Sequence, residues 1–241
     1  MRGFIAAIQF ITILPGGKSA PFEPHKMVPF FPIVGLLLGG LVAAFDLVAM
    51  RGLGPSVVSV LDVVLLIVMT GAFHLDGLGD AADGLLGQRS REKALSIMKD
   101  SRIGTMGLVA IVSGLAIKWG GITGLDSHRS LLLILVPAYA RGGMICGIRF
   151  LEYGRPDGGT GSDFFKEKLR NAAFGGMILP AMLSILLGWK AVWLNAGFVV
   201  LIVLLLYYYK KRIGCITGDM LGAITEITES GLFLLVSIGG L

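Results

Sequence analysis

Residues 28–50 read VPFFPIVGLLLGGLVAAFDLVAM, and this stretch decides the class of fold. Its 23 residues include a single charged side chain, Asp46. A helix needs roughly 20 consecutive apolar residues to cross the hydrocarbon core of a bilayer. The stretch therefore predicts a transmembrane helix.

The rest of the chain has the same apolar character. Its 241 residues are 54% hydrophobic and 15% charged, with a mean hydropathy of +0.80, whereas soluble domains are usually about 25% charged. The 36 glycines suit membrane helices, which pack closely through small residues. Cys146 and Cys215 form no zinc-type motif and are interpreted as free thiols. The net charge of +5 is explained by loop charges that orient helices, so no nucleic-acid partner is expected.

Similar apolar stretches recur along the chain. The last of them is too short alone and must begin with polar residues near Gly218. The segment 1–14 is interpreted as an interfacial or re-entrant helix of the mature chain. The predicted fold is an all-α polytopic membrane bundle of about seven transmembrane helices, one integral membrane domain over residues 1–241. The predicted spans are residues 28–50, 57–73, 105–125, 131–150, 172–188, 192–209 and 218–241.

The distribution of basic residues predicts the orientation of these spans. With the N-terminal segment inside, 16 of the 21 Lys and Arg residues fall in inside segments. Lys and Arg collect on the cytoplasmic side of a membrane. We therefore expect an inner-membrane protein with a cytoplasmic N-terminus and its long loops in the cytoplasm. The four outside cations are Arg51, Lys118, Arg129 and Lys190.

Three aspartates stand within eight residues in the segment FHLDGLGDAADGL, residues 73–85. Asp76 and Asp80 are four residues apart and Asp83 is three further on, so a helix places all three on one face. Such like charges repel unless a cation lies among them, and oxygen ligands favour Mg²⁺, Mn²⁺ or Ca²⁺ over zinc. The alternative is a solvated acidic helix end, but no Lys or Arg is interleaved as on an ordinary exposed face. The small residues in between are interpreted as room for a bulky substrate: Gly77, Gly79, Ala81, Ala82 and Gly84.

A second acidic group lies in the segment TGDMLGAITEITE, residues 217–229. Asp219 and Glu226 are seven residues apart and share a helical face, which Glu229 continues. Carboxylates within membrane segments face a cavity or a partner and mark functional sites. We expect Asp219 or Glu226 to complete the metal site, and Glu229 to contact substrate. A carboxylate that only complements the helix dipole is the alternative for Asp219.

Basic residues between the two acidic groups suit phosphate binding. Lys99, Asp100, Ser101 and Arg102 precede a predicted span, and Arg and Lys pair well with phosphates. Their alternative role is orientation of the helices, which is also open for Arg89, Arg91 and Lys93. Arg141 lies within a span and needs a carboxylate or phosphate partner. Arg155 opens a glycine-rich loop, residues 155–161, which is either a lid over the substrate or a simple turn.

His74 precedes the first aspartate and is a candidate base or ligand, or a hydrogen-bonding neighbour. Carboxylates with a hard divalent metal and basic residues at a membrane face indicate transfer of a phosphate-linked group. The residues alone go no further than a metal-dependent membrane transferase.

Several segments resemble the cobalamin synthase family, the adenosylcobinamide-GDP ribazoletransferases. They are FHLDGLGDAADGL (73–85), IMKDSRIGTMG (97–107), RPDGGTG (155–161) and TGDMLGAITEITE (217–229), with PGG (15–17) and FPIVG (31–35) nearer the N-terminus. Cys215-Ile216 departs from this pattern, which has two glycines there.

The resemblance implies a Mg²⁺-dependent integral membrane transferase that joins adenosylcobinamide-GDP to α-ribazole or its 5'-phosphate and releases GMP. From their shared helical face, we expect Asp76, Asp80 and Asp83 to bind this Mg²⁺ and to act in catalysis. Oligomeric state stays open, a homo-oligomer included. Two alternatives remain. One is a lipid-forming CDP-alcohol phosphotransferase, whose signature has a different order of residues. The other is a cation-coupled secondary transporter, which would usually show an internal repeat.

Overall fold

The computed structural model describes residues 2–18, 20–155, 158–159 and 161–238. Within them the chain is built from helices, and the only strand-like pairing described is an isolated parallel bridge between Tyr153 and Ile216. The predicted all-α class is therefore confirmed. The α-helices are α1 (Arg2–Ile11), α2 (Pro24–Met27), α3 (Phe31–Ala49), α4 (Pro55–Thr70), α5 (Phe73–Leu85), α6 (Arg91–Ile97), α7 (Thr105–Thr123), α8 (Arg129–Phe150), α9 (Ile178–Ser184), α10 (Lys190–Arg212) and α11 (Gly218–Val236).

Four helical stretches in the described part of the chain are long and apolar enough to cross a membrane. They are Pro24–Ala49, Thr105–Thr123, Arg129–Phe150 and Lys190–Arg212. The pair α4 and α5 passes the same test when taken together, although its two helices meet at 91°. The structure thus supports a membrane protein with four or five spans by length and composition, and the total of about seven is not established.

The two remaining predicted spans differ from long apolar helices for different reasons. The segment 172–188 forms 3₁₀ turns at Asn171–Met177 and Ile185–Leu187 on either side of the short α9. Helix α11 is a regular helix of 19 residues, but it carries Asp219, Glu226 and Glu229.

Helix α11 is the centre of the bundle. It packs against α5, α7, α8 and α10, and most of its side chains are buried, from Met220 near its start to Val236 at its end. A polar helix tolerates this position because its neighbours, rather than lipid, surround its carboxylates. Helix α1, with ten residues, rises only about 15 Å and is too short to span.

The end of the bundle at the start of α8 is held by a half-buried arginine, Arg129. The Arg129 guanidinium donates to Asp46 on α3 at 2.7 and 2.8 Å and to Asp62 on α4 at 3.1 Å. It also donates to the carbonyl oxygen of Ile122 at 2.6 Å. The sequence predicted only that Arg129 is a charge in an outside loop. In the structure its hydrogen bonds also connect the start of α8 to α3, α4 and α7.

Candidate active site

The aspartate-rich segment forms helix α5, which begins directly after a sharp turn of the chain. Gly71 and Ala72 both have left-handed backbone angles, with φ of 59° and 58°. The left-handed region is easily reached by glycine but is unusual for alanine. The two residues redirect the chain by about a right angle after α4, so that α5 runs across the bundle and packs on α11 and α7.

Two of the small residues in α5 allow this close packing. A side chain on Gly77 would meet the backbone of Asp219 on α11 at 2.7 Å, and one on Gly84 would meet Met98 at 2.7 Å. Ala81 and Ala82 are buried. The interpretation that the small residues leave room for substrate is therefore wrong at Gly77 and Gly84, where neighbouring elements already occupy that space.

The three aspartates share one face of α5, opposite its buried face at Leu78, Ala82 and Leu85. Asp76 is exposed, whereas Asp80 and Asp83 are half-buried. The charges of Asp219, Asp76 and Asp83 all act on the Asp80 carboxylate. The structure thus places Asp219, the first acidic residue of the segment 217–229, near the aspartates of α5.

Asp83 has additional partners. One of its carboxylate oxygens accepts the backbone N–H of Gly104 at 2.7 Å, and the other accepts that of Gly107 at 2.9 Å. These N–H groups lie at the start of α7, where a helix leaves its first donors without internal acceptors. Asp83 therefore caps the N-terminus of α7, although it lies 21 residues before Gly104 in the sequence.

Asp219 lies in the first turn of α11 and pairs with Arg155. The Arg155 guanidinium donates to the Asp219 carboxylate, and also to the carbonyl oxygen of Met98 at 3.1 Å. The Thr217 hydroxyl donates to the same carboxylate at 3.3 Å. Arg155 thus connects the α11 N-terminus with the loop after α6. Three residues of its own predicted loop, Pro156, Asp157 and Thr160, lie outside the described residues, so the lid or turn remains a prediction.

The basic segment 99–102 lies on the surface beside the aspartates. Lys99, Ser101 and Arg102 are exposed. Arg102 folds onto Asp100, and its Nε and Nη2 atoms donate to that carboxylate at distances from 2.6 to 3.2 Å. These hydrogen bonds lower the pKa of Asp100 to about 2, so both partners stay charged near neutral pH.

Glu226 and Glu229 belong to a separate, buried network. The Lys118 ammonium donates to Glu226 at 2.7 Å and to Glu229 at 2.8 Å, and Arg141 donates to the other oxygen of Glu229. Lys118, Arg141 and Glu229 have side chains only 1% exposed. Arg141 thus has the carboxylate partner that its buried position requires. Lys118 was predicted in an outside segment, and that prediction is wrong, because it lies buried within α7.

His74 lies behind the aspartate face. It is fully buried, and within the described residues neither ring nitrogen has a hydrogen-bond partner. The charges of Arg141, Glu229 and Lys118 act on its ring. The structure therefore places His74 next to the buried network rather than among the exposed carboxylates.

One residue that holds the site together was missed at the level of sequence. Arg212, at the end of α10, donates to the carbonyl oxygens of Leu85 at 3.1 Å and Arg89 at 2.9 Å, and to that of Gly87. These carbonyls lie at the last residue of α5 and just beyond it, where a cation also complements the helix dipole. Because Arg212 ends a run of three basic residues, the sequence predicted for it only a role in orienting the helices in the membrane.

The exposed carboxylates suit a hard divalent cation shared with a phosphate. Among the described residues, no three His, Cys, Asp or Glu side chains converge closely enough to hold a metal by themselves. Mg²⁺ usually keeps several waters and binds one or two carboxylates together with substrate phosphates. Asp76, Asp80 and Asp219 therefore fit a cation that arrives with a diphosphate, and Asp83 fits it less well because both its oxygens already accept backbone N–H groups.

Comparison with known proteins gives a consistent result across the chain. A family model described as Cobalamin-5-phosphate synthase matches residues 3–237. The chain is 36% identical to the adenosylcobinamide-GDP ribazoletransferase of Alkaliphilus metalliredigens (strain QYMF), over 98% of this chain and 94% of that protein. It is 33% identical to the protein of the same name from Chlorobaculum tepidum, over 99% and 96%, and 34% identical to that from Clostridium novyi (strain NT), over 95% and 94%. No solved structure matches the chain.

Proposed function

Because the chain belongs to the cobalamin-5-phosphate synthase family, we propose that it joins adenosylcobinamide-GDP to α-ribazole or α-ribazole 5'-phosphate and releases GMP. This is the nucleotide-loop assembly step of cobalamin biosynthesis. The observation that carries the proposal to particular residues is that Asp76 and Asp219 lie close enough to Asp80 for their charges to act on it, while Arg155 pairs with Asp219.

The reaction exchanges a phosphoanhydride bond of the donor for a new phosphoester bond to the acceptor. A hydroxyl oxygen of the ribazole attacks the phosphorus next to the corrinoid, and the bond from that phosphorus to the oxygen of GMP breaks. The attacking hydroxyl loses a proton, and GMP leaves with the bonding electron pair. Asp80 is our candidate to accept the proton, because it is half-buried and stands between Asp76 and Asp83 on the carboxylate face of α5.

Asp76, Asp80 and Asp219 are the residues that we propose to hold Mg²⁺. When bound, the cation would offset the charge of the diphosphate and so favour departure of GMP. Asp83 would act by fixing the start of α7 against α5. Arg155 would keep Asp219 in place until the donor binds.

Lys99 and Arg102 are our candidates to bind the diphosphate of the donor. Both are exposed and follow α6 next to Met98, whose carbonyl oxygen contacts Arg155. Arg102 would exchange its contact with Asp100 for the phosphate, which also offers two oxygen acceptors to a guanidinium.

For the topology we propose seven spans, a cytoplasmic N-terminus and an active site on the cytoplasmic face of the inner membrane. The division of basic residues supports the orientation. Residues 171–187 rise about 30 Å when the longer rise of their 3₁₀ turns is counted, which matches the hydrocarbon thickness. Helix α11 rises about 28 Å, with its acids shielded by neighbouring helices.

The direct experiment uses the purified chain in detergent with Mg²⁺, adenosylcobinamide-GDP and α-ribazole 5'-phosphate, with nucleotides separated by chromatography. We expect GMP and the joined corrinoid to form in equal amounts, and no GMP when the acceptor is omitted. GMP without acceptor would indicate a hydrolase. Release of CMP from a CDP-alcohol, with no GMP from the GDP-linked donor, would indicate the lipid-forming class, and no nucleotide release from either would favour a transporter.

A further inference from the structure

A cluster of phenylalanine rings adjoins the carboxylates of the candidate active site. Five separate segments contribute one ring each, and the ring of Phe10 lies at the centre. Its centroid is between 5.1 and 6.4 Å from the centroids of the other four rings, and rings at such distances attract each other. The phenylalanine cluster consists of Phe10 of α1, Phe22 before α2, Phe31 of α3, Phe73 of α5 and Phe164 of the 3₁₀ turn Ser162–Phe165.

The cluster is packed on one side and open on the other. Phe31 and Phe164 are buried, whereas the Phe73 side chain is 40% exposed. A narrow cleft lies among four of the rings and continues to Gly161 and Gly218. Its volume of about 20 Å³ is room for about one water molecule. A ring-shaped ligand would therefore rest against the mouth of the cleft at Phe73.

The mouth of the cleft is continuous with the carboxylates. Phe73 lies three residues before Asp76 and seven before Asp80, so the three side chains share one side of α5. Along the helix axis these separations are about 4.5 and 10 Å. At the other end of the cleft, Gly218 directly precedes Asp219. A ligand on Phe73 would thus lie beside the carboxylates that we propose to hold Mg²⁺.

The basic segment 99–102 lies toward the opposite end of this row. Asp83 accepts the backbone N–H of Gly104, and Gly84 packs closely on Met98. Asp76 and Asp80 therefore stand between the basic segment and Phe73 along α5.

This order matters for the direction of attack. In phosphoryl transfer the attacking and leaving oxygens are roughly in line with the phosphorus, on opposite sides of it. With the GMP side of the diphosphate at Lys99 and Arg102, the acceptor approaches from the side of Phe73.

We propose that Phe73, held by Phe10 at the mouth of the phenylalanine cluster, seats the flat aromatic base of the ribazole acceptor. The inference rests on the proposed function and deepens it, because it assigns the acceptor a place in the site. Only the ribose separates the base from the attacking hydroxyl. A base on Phe73 therefore leaves that hydroxyl near Asp76 and Asp80.

Two other ligands could contact an exposed ring here. One is a flat ring of the donor, either the corrin or the guanine, and the other is membrane lipid. Phe73 shares its side of α5 with the exposed Asp76, and a carboxylate in water is a poor neighbour for an acyl chain. The three ligands also differ in which kinetic constant depends on the ring, since only an acceptor contact changes KM for the acceptor alone.

The test uses two substitutions at Phe73 in the full chain, purified in detergent. Phe73→Leu keeps an apolar side chain but removes the flat ring, and Phe73→Tyr keeps the ring. The matched control is Phe45→Leu, because Phe45 is 36% exposed and lies beside Asp46 at the end of the bundle that Arg129 holds. GMP release is measured against the concentration of each substrate in turn. Binding of α-ribazole 5'-phosphate is measured by calorimetry, and thermal unfolding is followed on the same samples.

We expect KM and Kd for the acceptor to rise by about tenfold in Phe73→Leu, within the range for loss of stacking between a base and an aromatic side chain. The kcat at saturating acceptor, KM for the donor and the melting temperature should stay at their wild-type values. Phe73→Tyr should retain most of the affinity for the acceptor, and Phe45→Leu should match the wild type throughout.

An unchanged acceptor KM in Phe73→Leu would overturn the proposal. A rise in KM for the donor instead would place a donor ring on Phe73. Equal losses with both substrates, together with a lower melting temperature, would leave Phe73 with a structural or lipid contact only.

Failure of the proposed function is recognised separately, because the wild type would then release no GMP. Calorimetry still decides the role of Phe73 in that case. Weaker binding of α-ribazole 5'-phosphate to Phe73→Leu than to the wild type and Phe73→Tyr supports the contact. Equal binding to all three proteins, or binding to none of them, overturns it.

Discussion

Helix α11 carries carboxylates in two settings, and the contrast separates chemistry from architecture. Near its start, the Asp219 side chain is 20% exposed, pairs with Arg155 and lies near Asp80. Two to three turns deeper, the Glu229 side chain is 1% exposed, and both its oxygens accept from buried cations. The outer carboxylates are those of Asp76, Asp80, Asp83 and Asp219. They outnumber the cations paired with them and can receive a metal or a proton. The inner carboxylates are those of Glu226 and Glu229. Their pairing with Lys118 and Arg141 joins α11 to α7 and α8.

The largest expected effect is on turnover, from Asp80→Asn in the outer group. The amide keeps the size of the side chain but removes its charge and its capacity to accept a proton. We expect GMP release to fall by about 10²–10⁴-fold, the range for loss of a general acid or base. The protein should still purify with an unchanged melting temperature.

The matched control is Glu23→Gln, which removes a carboxylate from an exposed surface pair with Lys26. It should retain wild-type turnover. Normal GMP release by Asp80→Asn at limiting Mg²⁺ would show that Asp80 neither binds the cation nor takes the proton.

The second prediction concerns stability, from Lys118→Met in the inner group. The substitution removes the ammonium that pairs with Glu226 and Glu229. Breaking one side of a buried ion network costs about 3–5 kcal/mol, because the remaining charges stay buried without a partner. The melting temperature in detergent should fall by many degrees, while Lys26→Met, at an exposed lysine, should leave it unchanged. An unaltered melting temperature for Lys118→Met would mean that the network does not hold the helices together.

A smaller effect is expected from Asp83→Asn, because Asp83 belongs to the outer group by position but acts as a cap. An amide retains only one acceptor oxygen for the N–H groups of Gly104 and Gly107. Loss of a helix cap costs about 0.5–2 kcal/mol. Thermal unfolding should show this loss, and GMP release should fall less than in Asp80→Asn. Equal loss of turnover in the two variants, without destabilisation of either, would place Asp83 among the catalytic groups.

The smallest effect is expected at the surface, from Arg102→Ala. Its guanidinium contacts Asp100 in the free protein and is proposed to move to the donor diphosphate. We expect kcat/KM for the donor to fall by about tenfold, with partial recovery in Arg102→Lys because the planar fork is lost. Membrane topology, followed with reporter fusions, should not change, since Arg89, Arg91 and Lys93 share the loop. If Arg102→Ala retained the wild-type kcat/KM for the donor, Arg102 would serve only to orient the helices and would not bind the diphosphate.

Much of the architecture could be predicted because apolar length and helical spacing are properties of the sequence itself. The shared face of Asp76 and Asp80 follows from their spacing, and α5 confirms the helix on which it depends. The fold class followed from the apolar stretches, and the family followed from the order of the motifs.

What could not be predicted depends on contacts between distant elements. The right-angle turn at Ala72 has a local signal only in Gly71. The burial of Lys118 depends on α7 packing against α11, and a lone lysine near the end of an apolar stretch reads as a loop charge. The cap on α7 joins Asp83 to Gly104 across a loop, and no pattern within either segment specifies it.

The most direct test of the contrast between the two groups is to replace the inner network as a whole. In the quadruple variant Lys118→Met, Arg141→Met, Glu226→Met and Glu229→Met, no buried charge of the network remains unpaired, and such exchanges are often neutral or stabilising. Melting temperature and GMP release are measured on the same purified sample. We predict a protein as stable as the wild type that still releases GMP with Mg²⁺ and both substrates. A folded variant with unchanged melting temperature and turnover as low as that of Asp80→Asn would contradict the account, because the buried network would then take part in the reaction.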